Sequence, residues 1–335
     1  ISPMLYPRMK AVIEKETGVL VAGYVPELDF WQVGSRHLGL VLPGEIKNLQ
    51  EQMRQLGDCL EKTLDVDALL KLGEKADIDA LGSVTVTADG SSQKCEAQKN
   101  ADLVLQNQLS GEKISHSAIR IRLGVAWDEA FCFYYRDNLE FLEKQGVQIV
   151  RFSPVHDKHL PDDLDGLLLG GGYPELYAKA LGENETIRNE IRRKAEEDMP
   201  ILAECGGYLY LLKELKDENG TGYEMAGVFS GKGYKKGKNS HFGYITVQTE
   251  KDSLYLKAGE TIKGHEFHYW ESTQDENELK MQAKKPTGKR SWPCVTVKNQ
   301  VMAGFPHLYY PSLEGFGERF VQACDRYRMK RKRQQ

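Results

Sequence analysis

Apolar residues recur along this chain at two different intervals, and the switches between them predict its elements. Met4, Leu5, Met9, Val12 and Ile13 fall on one helical face that Gly18 ends, so a helix is expected over about 4–16. The unbroken apolar run from Val19 to Pro26 reads as a buried strand, and helix followed by strand is half of a parallel α/β unit. After the stretch from Gly34 to Val41, amphipathic spacing predicts a long helix from about Glu45 to Thr63 and a shorter one from about Asp65 to Gly73. Between Asp77 and Ser117 the periodicity weakens while Ser, Gln, Lys, Asp and Asn accumulate, as in a flexible connection. Only a short strand at Val84 to Val86 and a helical turn at Ala101 to Leu105 are expected there.

From Ile119 the pattern sharpens. A strand to Trp127, a helix from Tyr135 to Gln145 capped by Gly146, and a strand from Val147 to Arg151 make a right-handed parallel crossover. Leu164 to Leu169 forms a further strand that runs into Gly170-Gly171-Gly172-Tyr173-Pro174-Glu175. A helix from Glu183 to Glu197 leads to the buried strand Pro200 to Ala203, and Leu209, Leu212 and Leu215 resume the helical interval after Gly207. Tyr244 to Gln248, Thr261 to Tyr269 and Pro293 to Val297 alternate as antiparallel strands. The small-residue strand from Val301 then delivers His307, and a helix from about Leu313 to Tyr327 follows. The boundaries that result are an α/β segment over 1–75, a linker over 76–118, a second α/β domain over 119–325 and a solvated basic tail over 326–335.

Composition narrows the classes. A chain of 335 residues suits two domains, and a net charge of −4 gives no general attraction to nucleic acid or to an anionic membrane. Six cysteines, at 59, 95, 132, 205, 294 and 324, form no C-x-x-C pair, which fits a reducing cytoplasm. No apolar run approaches the roughly 18 residues of a membrane span. The phosphate-cradling pattern G-x-x-x-x-G-K-[ST] occurs nowhere in the sequence.

The candidate chemistry centres on Ala203-Glu204-Cys205-Gly206-Gly207. Cys205 stands on a strand-to-helix corner that Gly206 and Gly207 make sterically feasible, so its sulfur is expected to be exposed at a helix N-terminus with a lowered pKa. The amide of Gly206 is a candidate oxyanion donor, and Gly171 or Gly172 a second one at the carboxyl end of a neighbouring strand. Taken singly, Cys-Gly-Gly also fits a buried packing cysteine, the triple glycine a plain turn, and His307 a satisfied surface histidine. About a hundred residues separate Cys205 from His307, which suits a Cys/His acyl-transfer pair on an α/β sheet. In Gly264-His265-Glu266-Phe267-His268-Tyr269 the histidines stand three apart, unlike a helical zinc motif, and Glu266 and His268 would share one face of a strand. That arrangement is read as a substrate-facing polar strand, with no metal assigned to the chain. Arg36 and His37 suit either an anion site or a solvated loop.

Together and in this order, Gly-Gly-Gly-Tyr-Pro-Glu at 170–175, Ala-Glu-Cys-Gly-Gly at 203–207, Gly-His-Glu-Phe-His-Tyr at 264–269 and the late His307 resemble the cobyrinic acid a,c-diamide synthase family, among the class I glutamine amidotransferases of the cobyrinic/cobyric acid type. Arg36-His37-Leu38-Gly39-Leu40-Val41 resembles the latter part of that family's dethiobiotin-synthetase-like domain. The resemblance implies a flavodoxin-like amidotransferase domain preceded by a partial synthetase domain. It also implies ATP- and magnesium-dependent amidation of the a and c carboxylates of cobyrinic acid, with glutamine as nitrogen donor.

By that resemblance Cys205 attacks the glutamine amide and His307 relays its proton. Gly206 with Gly171 or Gly172 stabilises the oxyanion, and Tyr173, Glu266, His268, Arg36 and His37 face substrate. Triad amidotransferases often carry Glu two residues after the histidine; here Tyr309 stands there, which leaves a dyad or an acid from elsewhere. Because the phosphate loop and magnesium-binding acids would precede Ile1, the expectation is a glutaminase module that does not bind ATP productively unless another polypeptide supplies those residues. Cobyric acid synthase, another tetrapyrrole amidotransferase and a Cys-dependent hydrolase on the same fold are the alternatives, and a homodimer is left open.

Overall fold

The computed structural model describes residues 1–31, 35–36, 39–40, 43–74, 85–86, 92–93, 121–236, 241–273, 279–287 and 290–334. They belong to two compact units, Ile1–His116 and Ser117–Gln335.

In the first unit, α1 (Tyr6–Thr17) ends where Gly18 takes φ 67° and donates its N–H to the Glu14 carbonyl at 3.0 Å. Two-residue strands β1 (Ser35–Arg36) and β2 (Gly39–Leu40) pair antiparallel, and α2 (Leu49–Thr63) and α3 (Val66–Glu74) follow near their predicted positions. β3 (Thr85–Val86) pairs with β4 (Ser92–Gln93). The buried strand expected over Val19 to Pro26 is not formed. Val19, Leu20 and Val25 are exposed, and the run's one strand-like pairing is a single bridge from Gly23 to Leu64. Apolar content is not sufficient for a strand, because each edge needs a ladder partner, and here the backbone groups are taken by Thr63 and Asp65, by the side chains of Thr17 and Glu14 and by the Ile1 amino group. The helical turn expected at Ala101 to Leu105 and Cys95 lie outside the described residues.

The second unit is organised by one ten-stranded sheet. Its strands enter in chain order with their covering helices: β5 (Ile121–Ala126), α4 (Arg136–Lys144), β6 (Val147–Phe152), β7 (Gly166–Leu169), α5 (Ala178–Glu183), α6 (Glu185–Glu196), β8 (Ile201–Glu204) and α7 (Gly206–Leu211). A small separate sheet follows, with β9 (Glu214–Lys216), β10 (Gly222–Glu224) and β11 (Lys232–Lys235). β12 (Phe242–Gln248) and β13 (Thr261–Phe267) return to the large sheet, and β14 (Trp270–Ser272) joins the small one. Last come β15 (Leu279–Lys284), β16 (Ser291–Lys298), β17 (Val301–Gly304), β18 (His307–Leu308) and α8 (Phe316–Gln334).

The order across the large sheet is β18-β13-β12-β15-β16-β17-β8-β7-β5-β6. β17, β8, β7, β5 and β6 are mutually parallel, and the rest pair antiparallel. Both faces of the parallel half are covered, which explains its continuous apolar runs. Leu167, Leu169, Ile201 and Ala203 enter one core with Leu181, Ile187, Ile191 and Tyr208, whereas Leu168 and Leu202 enter the other with Leu142, Phe316 and Phe320. Only two residues separate β17 from β18, yet β18 pairs with β13 at the far end of the strand order. Since two residues span less than about 10 Å, the antiparallel half must curl back toward the end of β17.

Three helices depart from expectation. The helix predicted over 183–197 starts earlier and breaks at Asn184, whose side-chain amide donates to the carbonyls of Pro154 and Asp157, both at 2.8 Å. The helix after Cys205 stops at Leu211, and Leu215 lies in β9, although Leu209, Leu212 and Leu215 are all buried. The N–H groups of Ala226, Phe229 and Gly227 take the carbonyls of Tyr210, Leu211 and Leu212, which would have no partner at a helix end. Finally, in place of the solvated tail expected over 326–335, α8 runs on to Gln334. Its Arg331 donates to the Asp165 carboxylate at 3.1 Å, an acid only 1% exposed that also accepts the Arg122 N–H. Among the described residues no helix is long and apolar enough to cross a membrane.

Removing Arg331 leaves the buried Asp165 carboxylate without its cation. Arg331→Ala is therefore expected to lower the unfolding free energy by about 2 kcal/mol, discounted from a fully buried pair because the arginine is partly exposed. Urea denaturation measures this, and a midpoint equal to the parent's would restore the solvated-tail reading.

Candidate functional site

The carboxyl ends of β7, β8 and β17 lie side by side, and each leads into a chemically distinctive segment: Gly170–Gly172, Cys205 and the stretch to His307. At the end of β8 the chain turns directly into α7, with Cys205 at φ 50° and ψ −103°. For a non-glycine residue this is strained, and two backbone bonds hold it: Cys205 N–H to the Gly304 carbonyl at 2.8 Å and Leu209 N–H to the Cys205 carbonyl at 3.1 Å. Only glycine fits at the next two positions. A Cβ on Gly207 would lie 2.0 Å from the Leu169 carbonyl oxygen, and one on Gly206 would lie 2.9 Å from Pro174 and 3.1 Å from the Gly172 nitrogen. The two glycine segments therefore lie against each other, with the Gly172 nitrogen beside Gly206.

His307 reaches the same place. β18 pairs with β13 so that His307 stands opposite His265, and Asn138 clamps the segment by donating to the Leu308 carbonyl at 2.7 Å and accepting the Tyr310 N–H at 2.9 Å. The ring packs against Gly171, where a Cβ would meet its Cε1 at 2.3 Å. On the Nδ1 side stands the Glu204 carboxylate, 4.0 Å away.

The expected exposure of the nucleophile is corrected by the structure. Cys205 is 5% exposed, and burial pushes its thiol up rather than down; the charges of Glu175 and Glu266 push the same way, against the Gly206 N–H. Burial, followed by the neighbouring His265 and His268, pulls His307 down to about 4. At neutral pH the resting pair is a thiol and a neutral imidazole.

Of the proposed substrate-facing residues, Tyr173 is buried with its ring edge-on to Phe133. Glu266 and His268 share a face as expected, but that face is the protein interior. His268 Nε2 lies 2.8 Å from Glu266 Oε1, its Nδ1 2.6 Å from the Trp270 carbonyl, and its ring stacks on Phe305. Trp292 donates to the other Glu266 oxygen at 3.2 Å, and His241, stacked on Trp292, stands 3.4 Å from Glu266 Oε1. Among the described residues, His241, Glu266 and His268 form a group with ligand atoms converging within 4.8 Å, a donor set that the spacing of the two motif histidines did not suggest. The side chain of Arg36 and all of His37 lie outside the described residues.

Sequence reasoning missed Glu204, Tyr134 and Tyr310. Tyr134 accepts the Gly170 N–H at 2.9 Å and donates to the Ala126 carbonyl, fixing the first glycine of the loop. Tyr310 donates to Glu204 at 3.2 Å. For Glu204 a signal existed, since a carboxylate in an otherwise apolar buried strand needs a reason.

A strand-to-helix cysteine, a glycine loop at the next strand end and a histidine from the curled half of the sheet are thus brought to one place at the strand ends. Residues 122–313 match the CobB/CobQ-like glutamine amidotransferase domain, and the chain belongs to that family. It is 34% identical over 323 residues to a cobyrinate a,c-diamide synthase of Caldanaerobacter subterraneus subsp. tengcongensis, covering 96% of this chain and 65% of the relative. With a cobyrinate a,c-diamide synthase of Picrophilus torridus it is 34% identical over 316 residues, 94% of this chain and 63% of that one. The chain thus spans just under two thirds of the length of these relatives. Among solved structures, PurLQS from Thermotoga maritima is similar over 62% of this chain and 99% of its own at 18% identity, with a TM-score of 0.43.

Because Gly171 leaves room for the His307 ring, Gly171→Ala is expected to displace the ring and to slow glutamine hydrolysis roughly 10²-fold with the fold retained. Steady-state ammonia release together with a melting curve checks this. An unchanged rate would mean that the ring is free to stand elsewhere.

Proposed function

We propose that this chain hydrolyses glutamine at Cys205, with His307 as general base and then general acid, and that in the complete protein the ammonia amidates the a and c carboxylates of cobyrinic acid. The observation that carries the reading is the strained Cys205 corner facing Gly171 and Gly172, with the His307 ring packed on the same glycine segment.

The chemistry follows from the two neutral groups. The Cys205 thiol passes its proton to His307 as sulfur attacks the glutamine side-chain carbonyl carbon, so the thiolate never stands unpaired in a buried site. The developing oxyanion is accepted by N–H groups at Gly206 and at Gly171 or Gly172. As the C–N bond breaks, His307 returns the proton to the departing nitrogen and ammonia leaves. Water then attacks the thioester, again through His307, to release glutamate and restore the thiol.

The relatives' names supply the acceptor, and ATP with magnesium would activate its carboxylates. The phosphate-cradling pattern does not occur in this sequence, and the hydrolytic steps at Cys205 and His307 need no nucleotide.

Cys205→Ser is expected to reduce ammonia release from glutamine to background, while a glutamine-like chloroketone labels the parent at Cys205 and the purified chain cleaves no peptide. Peptidase activity that depends on Cys205 would favour a Cys hydrolase instead. Failure to label would favour a binding remnant without turnover.

A further inference from the structure

Resting on the Cys205–His307 reading, we propose that Glu204, the residue immediately before the nucleophile, is the positioning acid of this site and holds His307 from its Nδ1 side. The usual place for such an acid, two residues after the histidine, is taken by Tyr309, which turns outward to donate to Asp137 at 3.2 Å and stacks edge-on with Tyr135. The next residue, Tyr310, turns inward instead and donates its hydroxyl to Glu204 Oε1. That same oxygen accepts the Leu308 N–H at 3.3 Å. The segment that carries His307 therefore grips one oxygen of Glu204 at two positions just after the histidine, which leaves Oε2 as the oxygen nearest Nδ1, at 4.0 Å.

The geometry gives a definite role. An acid on the Nδ1 side favours the tautomer with the proton on Nδ1, and so leaves the Nε2 lone pair to receive the thiol proton. At 4.0 Å the contact is an ion-pair distance rather than a hydrogen bond, so its effect is largest when His307 becomes an imidazolium during proton transfer. In a buried site that attraction is only weakly screened.

Protonation state sets when this works. Burial pushes Glu204 up to about 8, against the hydrogen bonds from Leu308 and Tyr310, so near neutral pH much of it carries a proton. Ionised Glu204 sets a negative charge beside Nδ1 that attracts its proton and stabilises the imidazolium, whereas protonated Glu204, being neutral, does neither. Turnover should therefore rise with pH as Glu204 loses its proton. The other titratable groups facing the pair are Cys205, Tyr134, Tyr135 and Tyr310 around Glu204, and His265 and His268 around His307. The tyrosines and the cysteine titrate above Glu204, because burial raises them all, and His307 titrates well below it.

The test is glutamine hydrolysis by the whole chain from pH 6 to 9.5, with Glu204→Gln and Glu204→Asp beside the parent and melting curves for all three. The Gln variant keeps the acceptor for Tyr310 and Leu308 but removes the negative charge beside Nδ1. Its kcat is expected to fall roughly 10²-fold with KM nearly unchanged, the rising limb near pH 8 should vanish, and Glu204→Asp should recover part of the rate and the limb. A Gln variant within threefold of the parent in kcat, or one that retains the limb, overturns the proposal whatever its melting temperature. Alkylation of the Cys205 peptide, followed by mass spectrometry across the same pH range, reads the same limb without turnover and decides the matter if a variant is slow for other reasons. Cys205→Ala separates the two levels: hydrolysis surviving that change defeats the Cys205–His307 reading itself, whereas loss there with Glu204→Gln unaffected defeats only the role of Glu204.

Discussion

The corner at Cys205 constrains the rest of the second unit. A non-glycine residue at φ 50° costs about 1–3 kcal/mol, and it survives because its neighbours leave no alternative. Its N–H is tied to Gly304 at the end of β17, and the Gly207 N–H to Gly170 at the end of β7. One strained residue thus fixes three strand ends against each other. Any side chain at Gly207 would collide with the Leu169 carbonyl, so the corner and the glycine loop are one steric object.

Burial then decides the electrostatics. The same tight packing that aims the sulfur removes water from it, and desolvation outweighs the helix N-terminus and the Gly206 amide. A buried thiolate resting beside Glu175, Glu204 and Glu266 would be surrounded by acids, whereas a neutral thiol and a neutral imidazole are stable there and exchange charge only during reaction. The histidine–carboxylate contact at His268 and Glu266 shows the same economy, with both ring nitrogens and both carboxylate oxygens partnered.

His307 arrives by topology. β16 and β17 form a hairpin that places β17 parallel to β8, and the next residues cross to pair with β13, so that the curled antiparallel half carries the histidine to the strand ends. The family match over 122–313 spans this arrangement, from the first parallel strand to the segment just past His307.

Much of this was legible in the sequence. Periodicity located α1 to α3 and the strands of the parallel half, because amphipathic helices and doubly covered strands carry local patterns, and Ala-Glu-Cys-Gly-Gly marked the corner because only glycines tolerate it. Other features had no local signature. The apolar run from Val19 to Pro26 lacked strand partners, α7 ended early because a later segment took its carbonyls, and the end of α8 became structural through Asp165. The sequence by itself determined which residue types stand at the strand ends, and hence the class of chemistry. Tertiary structure alone decided that Cys205 is buried, that Glu266 faces inward and that Glu204 lies beside His307, since solvent exposure and side-chain neighbours depend on residues a hundred positions apart being brought together.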